Sequence, residues 1–268
     1  HEVALGHYAL TAFAPIVLAS VTGTIITRLY FGSDIAFLLP ANEIQSFLEF
    51  PAFALLGIAA GITAICVTRA IPVVQMAAKA SKIPGWLRPA VAGLVIGIVA
   101  IKFPQIVGVG YGAMNDALYG AYGWSFLVQL LIVKAAMVAI CIGMGFAGGI
   151  FSPALFLGAM LGGAFGVTAT AIFPDLSSGY GAYTLVGMGA VAAAMLGAPI
   201  STTLIIFELT GDYALTIAVM VASVIASIVM DQFQGGSFFA WQLKCRGLST
   251  RWGREMNLLR MMKVADIM

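Results

Sequence analysis

The sequence has 268 residues, of which 61% are hydrophobic and 9% are charged, with a formal net charge of +2 at pH 7. A mean hydropathy of +1.03 lies far outside the range of soluble globular proteins. The composition therefore excludes a soluble domain and predicts an integral membrane protein. Abundant glycine without a strict alternation of apolar and polar residues favours helices over a lipid-facing barrel.

The first third of the chain predicts two membrane helices joined by a polar segment. Residues 8–27 form the first apolar span, and residues 29–43 resemble a loop. A long helix is expected from about residue 42 to residue 80, around an apolar core at residues 50–68. At about 1.5 Å per residue such a helix exceeds a perpendicular crossing, so we expect it to tilt.

The middle of the chain alternates turns and helices. Residues 82–89 predict a turn, and residues 90–101 begin the next helix. Pro104 and the glycines of residues 108–112 interrupt the apolar pattern. A short helix is expected at residues 113–119, which is too short to cross a bilayer.

The next apolar span, residues 124–143, contains one charged residue, Lys134. A charge inside a membrane span has two interpretations. Snorkelling or an interhelical hydrogen bond is the simpler one, and a part in conduction is the other. We expect Lys134 to snorkel or to form an interhelical hydrogen bond.

A glycine-rich break at residues 143–150 is followed by a helix that we expect to start near Phe151, because Pro153 suits a first helical turn. Inside a membrane, the free N–H groups of Gly149, Ile150 and Phe151 and the positive end of the helix dipole would meet no water. Such a terminus is suited to bind an anion. The alternative is that these glycines serve close helix packing, and the residues alone leave both possibilities open.

The remaining elements are short or broken apolar helices, with turns at residues 174–179 and 197–199. The helices are expected at residues 151–173, 180–195, 199–209, 213–230 and 238–245. Broken hydrophobic helices bring helix ends to the bilayer midplane in transporters. Glu208 and Asp212 lie near a helix end, where we expect a structural role for both.

Basic residues cluster in two places. One cluster lies in the loop around residues 79–88, and the other lies at the C-terminus from Lys244 to Lys263. The positive-inside bias predicts that both face the cytoplasm. Contact of the basic tail with anionic lipid headgroups fits the same orientation.

The cysteines, the histidines and the short motifs of the sequence are the candidates for a disulfide, a metal site or a catalytic site. Cys66, Cys141 and Cys245 are interpreted as packing residues rather than a disulfide or metal set. His1 and His7 lack ligand-spaced partners, so we expect no metal site. No phosphate-binding loop or nucleophile elbow occurs, and we expect no catalytic residue, cofactor, enzyme activity or nucleic-acid partner. The chain starts without a signal region, so we expect a fragment whose beginning lies upstream.

Several motifs carry a family resemblance. Residues 149–153, Gly-Ile-Phe-Ser-Pro, resemble the G-x-F-x-P anion-coordinating motif of the CLC family of chloride channels and chloride/proton antiporters. Residues 186–195, 197–213 and 235–239 are similar to further stretches of that family and occur in the family's order. The resemblance is clearest over residues 126–247 and weaker from Glu2 onward.

The resemblance implies an all-α, polytopic transmembrane helical bundle of the CLC inverted-repeat type, with short broken and re-entrant helices. Residues 1–247 would be the C-terminal portion of the transport domain, and residues 248–268 a cytoplasmic linker with the truncated start of a CBS domain. The family's other anion-site motifs, which present a serine and a gating glutamate, are not found in this sequence. Alone, the chain should not form a complete pore.

The resemblance also implies the function and its residues. Gly149, Ile150 and Phe151 would bind chloride or a similar small anion, supported by Gly148, Ser152 and Pro153 of the motif. Phe239 takes the place of the family's pore tyrosine, where its ring could constrict the inner entrance. Val3 falls at the proton-relay position of the antiporters, which favours a passive channel, either voltage-gated or not. A slip of one residue would put Glu2 there and favour chloride/proton exchange.

The expected setting follows from the same family. We expect a multi-pass protein of the bacterial inner membrane with a cytoplasmic C-terminus, in contact with the lipid bilayer. A homodimer is expected, with its surface on residues 8–27, 199–209 and 213–230. A nucleotide would bind only at the missing CBS region. An accessory membrane subunit and a membrane-embedded enzyme are the remote alternatives.

Overall fold

The computed structural model describes residues 10–32, 49–81, 83–174 and 177–245. These ranges hold ten α-helices and one 3₁₀ turn, Pro104–Ile106, and no strand. The helices are α1 Leu10–Phe31, α2 Phe50–Ala80, α3 Arg88–Lys102, α4 Tyr111–Leu118, α5 Trp124–Gly143, α6 Phe151–Ile172, α7 Gly179–Leu196, α8 Pro199–Thr210, α9 Tyr213–Gln234 and α10 Phe238–Cys245. The predicted all-α, polytopic class is confirmed.

The helix ends follow simple backbone chemistry. Pro51 and Pro199 occupy first turns, where the missing N–H has no intrahelical acceptor to lose. Gly197 ends α7 with φ 72°, a left-handed conformation that glycine adopts without a Cβ penalty. Asp212 caps α9, since its Oδ1 accepts hydrogen bonds from the N–H groups of Ala214 at 2.8 Å and Leu215 at 3.2 Å. The structural role expected for Asp212 is therefore present.

The chain divides into two compact units. One comprises residues 1–33 and 238–268, and of its residues the structure describes α1, α10 and Gly32. The other comprises residues 34–237 and contains α2 to α9. Five helices in the described ranges are long and apolar enough to cross a membrane: α2, α5, α6, α7 and the span that begins at Tyr213.

Helix α7 forms the core of the larger unit. Every residue from 181 to 195 is buried, and α6, α9 and α2 pack around it. The contact with α6 is close because glycines face backbone: a Cβ on Gly158 would lie 2.3 Å from the Gly187 carbonyl oxygen, and a Cβ on Gly162 would lie 2.2 Å from that of Tyr183. Small residues at such contacts let membrane helices approach each other.

Most predicted boundaries agree with the structure within two residues, α5 matches at both ends, and α10 begins at the predicted residue. Helix α1 continues to Phe31, beyond the predicted end at residue 27. Helix α9 extends to Gln234, beyond the predicted end at residue 230, because its last turn stays helical until Gly235. The predicted beginning of α2 near residue 42 lies outside the described residues, as do the predicted linker and CBS start at residues 248–268.

Candidate anion-binding site

The first turn of α6 lacks internal partners for its backbone N–H groups. Ile150 is the N-cap residue, with φ −96° and ψ −10°, and no side chain caps the helix. No backbone N–H from residue 147 to residue 152 has an acceptor in the described part of the chain. Each such group costs free energy in an apolar medium unless a ligand or water accepts from it. Together with the helix dipole, these donors favour an anion.

Open space surrounds the glycines of this turn. Gly148 and Gly149 are exposed, and a Cβ built on either would meet no atom within 4 Å. Gly143, at the end of α5, differs because its Cβ would lie 2.6 Å from Cγ1 of Val74. Close helix packing therefore explains Gly143 but not Gly148 or Gly149. The space beside the two exposed glycines would allow a ligand to approach the backbone closely.

A cleft of about 280 Å³ adjoins the same turn. Gly148, Gly149 and Pro153 line it together with side chains of α5, including Lys134 and Met137. Most of the lining is apolar. A cleft of this composition hydrates an ion poorly, so backbone dipoles and any buried charge dominate its electrostatics.

Lys134 is buried in this cleft with a relative exposure of 5%. Its Nζ donates hydrogen bonds to the carbonyl oxygens of Ile106 at 2.6 Å and Gly108 at 3.0 Å. The ammonium also lies 4.7 Å from the centroid of the Phe156 ring, within the range of a cation–π contact. The side chain therefore does not snorkel; it forms hydrogen bonds to the segment that follows α3.

The other predicted site residues have separate locations. Phe151, Ser152 and Pro153 are half-buried in the first turn of α6, and Ile150 is buried. Phe239 is half-buried in α10, which belongs to the other unit, and its ring contacts that of Phe238 edge-on at 5.6 Å. Glu2 and Val3 lie outside the described residues.

A buried carboxylate at the start of α2 was not among the predicted site residues. Glu49 is 4% exposed and accepts hydrogen bonds from the backbone N–H of Ser178 at 2.7 Å and the Tyr183 hydroxyl at 2.9 Å. Its second oxygen accepts from the Ser178 hydroxyl. The cluster joins the N-terminal ends of α2 and α7. A single acidic residue before an apolar run was the available signal, but it does not identify partners 129 and 134 positions away.

Five apolar spans in the described ranges, together with the short helices between them, define a polytopic membrane protein. The family model described as voltage gated chloride channel matches residues 1–231. The chain therefore belongs to this family, which confirms the resemblance to CLC proteins, and it is an integral, multi-pass membrane protein.

Named relatives include both exchangers and channels. The H(+)/Cl(−) exchange transporter ClcA of Vibrio campbellii is 28% identical over 255 residues, which cover 94% of this chain and 54% of that protein. The chloride channel protein CLC-f of Arabidopsis thaliana is 32% identical over 222 residues, which cover 77% of this chain and 28% of that protein. The chain thus spans about half the length of the Vibrio relative and less of the Arabidopsis one.

Solved structures show the same fold. A slow cyanobacterial Cl−/H+ antiporter superposes with a TM-score of 0.75 at 25% identity, over 84% of this chain and 53% of that one. A CLC-type fluoride/proton antiporter superposes with a TM-score of 0.72 at 17% identity, over 90% of this chain and 58% of that one. At 17% identity, the similarity to the fluoride/proton antiporter shows only that the two folds are alike.

Proposed function

We propose that the protein containing this chain carries chloride or a similar small anion across a membrane by passive conduction, with the first turn of α6 as a binding site. The observation that carries the proposal is the row of backbone N–H groups at residues 147–152 without acceptors, beside exposed glycines in an otherwise apolar chain. The names of the relatives support chloride as the anion.

A site on an ion pathway must bind the anion strongly enough for it to enter the membrane and weakly enough for it to leave. An ion entering the bilayer loses hydration, and oriented N–H dipoles replace part of it without the tight hold of a directly contacting lysine or arginine. Gly149, Ile150 and Phe151 supply these donors, with Ile150 and Phe151 as the direct ones. Gly148, Ser152 and Pro153 shape the turn, and Phe239 takes the place of the family's pore tyrosine in the sequence.

Chloride/proton exchange is the second candidate function. It is favoured by the names of the Vibrio relative and of the cyanobacterial structure, which are both exchangers. Passive conduction is favoured by Val3, because a valine at the relay position cannot carry a proton. If Glu2 occupies that position instead, a carboxylate becomes available for the relay.

The proposed membrane location and domain order are those implied by the family resemblance. Residues 1–247 act as the C-terminal portion of the transport domain in a bacterial inner membrane, with residues 248–268 cytoplasmic and leading into a CBS domain. Transport rather than catalysis is the proposed activity, and voltage dependence is a property to test in the same assay.

A homodimer is also proposed. Helices α8 and α9 border a groove of about 360 Å³ lined by apolar side chains. Leu204, Tyr213 and Met220 line it and are at least half exposed. Exposed apolar patches of this kind mark interaction sites or lipid contact, and the family resemblance favours a second copy.

The test uses the protein from the complete gene in liposomes. A chloride gradient is imposed, the voltage is clamped with a potassium ionophore, and chloride efflux and internal pH are recorded together. Chloride movement without proton movement supports passive conduction, whereas stoichiometric proton movement supports exchange. An absence of chloride movement contradicts both.

Variants locate the site in the same assay. Replacing Phe151, or changing Pro153→Ala, should alter chloride flux or chloride/bromide selectivity about threefold or more, because the donors of the turn are displaced. Pro199→Ala removes a first-turn proline of α8 and is the matched control. Unchanged flux and selectivity in both site variants count against this site.

A further inference from the structure

The strongest unexplained feature is a positive charge in the middle of a membrane helix. Lys134 lies near the centre of α5, between Trp124 and Gly143, and is 95% buried. A charge at this depth is costly, and charged residues inside membrane spans usually mark ion or substrate pathways. Its retention at this position therefore requires a compensating interaction.

The contacts of Lys134 are all with neutral groups. Two backbone carbonyl oxygens accept its hydrogen bonds, and the Phe156 ring lies beneath the ammonium. No acidic side chain in the described ranges forms an ion pair with it. Glu49 instead accepts from Ser178 and Tyr183. The carbonyls satisfy the donors of Lys134, but they leave its charge without a fixed counter-charge.

The cleft supplies a place for a mobile counter-charge. Lys134 lines the same cleft as Gly148 and Gly149, whose N–H groups lack acceptors among the described residues. We propose that Lys134 is a fixed positive charge that raises the occupancy of a monovalent anion at the N–H groups of residues 149–151, acting through space without touching the ion. The inference rests on the proposed function and adds a residue that sets anion affinity there.

The hydrogen bonds of Lys134 explain why it acts from a distance. Both carbonyl contacts and the ring hold the ammonium in place, so it does not move to form a direct ion pair with the anion. A directly contacting lysine in a dry cleft would bind an anion too tightly for release, whereas a held charge raises affinity and still permits exit.

The competing explanation is a structural one, in which Lys134 only fixes the segment from Ile106 to Gly108. The two explanations differ in one measurable respect. A through-space charge acts alike on all monovalent anions of similar size, so it scales their affinities by one factor. A displaced segment reshapes the site and changes the order of preference among anions.

The experiment measures chloride, bromide and nitrate binding by isothermal titration to the protein from the complete gene, in detergent. Lys134→Gln should weaken binding of all three anions by a common factor on the order of ten, as expected for the loss of a unit charge that acts across a cleft at an effective dielectric constant near 20. Lys134→Arg, which keeps the charge, should stay within about threefold of the unchanged protein. Lys102→Gln removes an exposed charge and should have no effect.

The anion-binding results for Lys134→Gln decide whether the inference holds. Unequal factors, an altered order of preference, or unchanged binding in Lys134→Gln would overturn the inference. If the unchanged protein binds no anion, the proposed function fails instead. If Lys134→Gln does not fold, Lys134→Met replaces it, because an unbranched apolar side chain suits the mostly apolar lining of the cleft. Weaker binding of all three anions by a common factor supports the inference, and unchanged or unequally changed binding overturns it.

Discussion

The middle of α6 and the segment that immediately precedes it use glycine for opposite purposes. In its middle, Gly158 and Gly162 are buried against the backbone of α7, where a Cβ would lie 2.3 Å and 2.2 Å from carbonyl oxygens. Just before its first turn, Gly148 and Gly149 face open space and adjoin N–H groups without acceptors in the described residues. The same residue type therefore serves helix packing at one place and access to backbone at the other.

The largest effect that separates the two regions is on stability. Gly158→Ala forces a methyl group against the Gly187 carbonyl, and we expect a loss of about 3 kcal/mol in the free energy of unfolding. Thermal unfolding in detergent measures it. Gly149→Ala is the matched control and should stay within about 0.5 kcal/mol, because its Cβ meets nothing within 4 Å. Equal losses in the two variants would remove the distinction.

The next effect is on anion binding. Gly149→Asp introduces a carboxylate at the open turn, where it competes with a bound anion for the same N–H groups. We expect chloride binding to weaken about 100-fold, with little loss of stability. Gly149→Asn has nearly the same shape without the charge and is the control. If both variants bind chloride as the unchanged protein does, the turn is not the binding site.

The smallest expected effect is the loss of unfolding free energy when the side-chain cap of α9 is removed. Helix α9 is capped by Asp212, whereas no side chain caps α6. Asp212→Ala should lower the free energy of unfolding by about 1 kcal/mol, because two N–H groups lose their acceptor, and should leave chloride binding unchanged. Asp212→Asn should recover most of the stability. A fall in chloride affinity with Asp212→Ala would mean that the two termini are coupled.

The helices could be predicted because hydropathy and backbone chemistry are local. Helix α5 matched at both ends, since an apolar run lies between Gly123 and the glycine-rich break. The start of α6 at Phe151 followed from Pro153 two residues later. The anion-site residues came from the family motif, and their role stays a prediction.

Long-range contacts could not be predicted. The sequence does not distinguish Gly149 from Gly158, because the difference lies in what faces each residue across the fold. The partners of Glu49 lie more than a hundred positions away. Nor does the sequence show that Lys134 donates to the carbonyl oxygens of Ile106 and Gly108, 28 and 26 positions away.

We propose that the first turn of α6 binds an anion through backbone N–H groups. Crystals of the protein from the complete gene, grown in bromide, test this binding directly, because anomalous scattering locates the ion. We expect a bromide peak within hydrogen-bonding distance, about 3.3 Å, of the backbone nitrogens of Ile150 and Phe151. Ordered bromide elsewhere, with none at this turn, would contradict it.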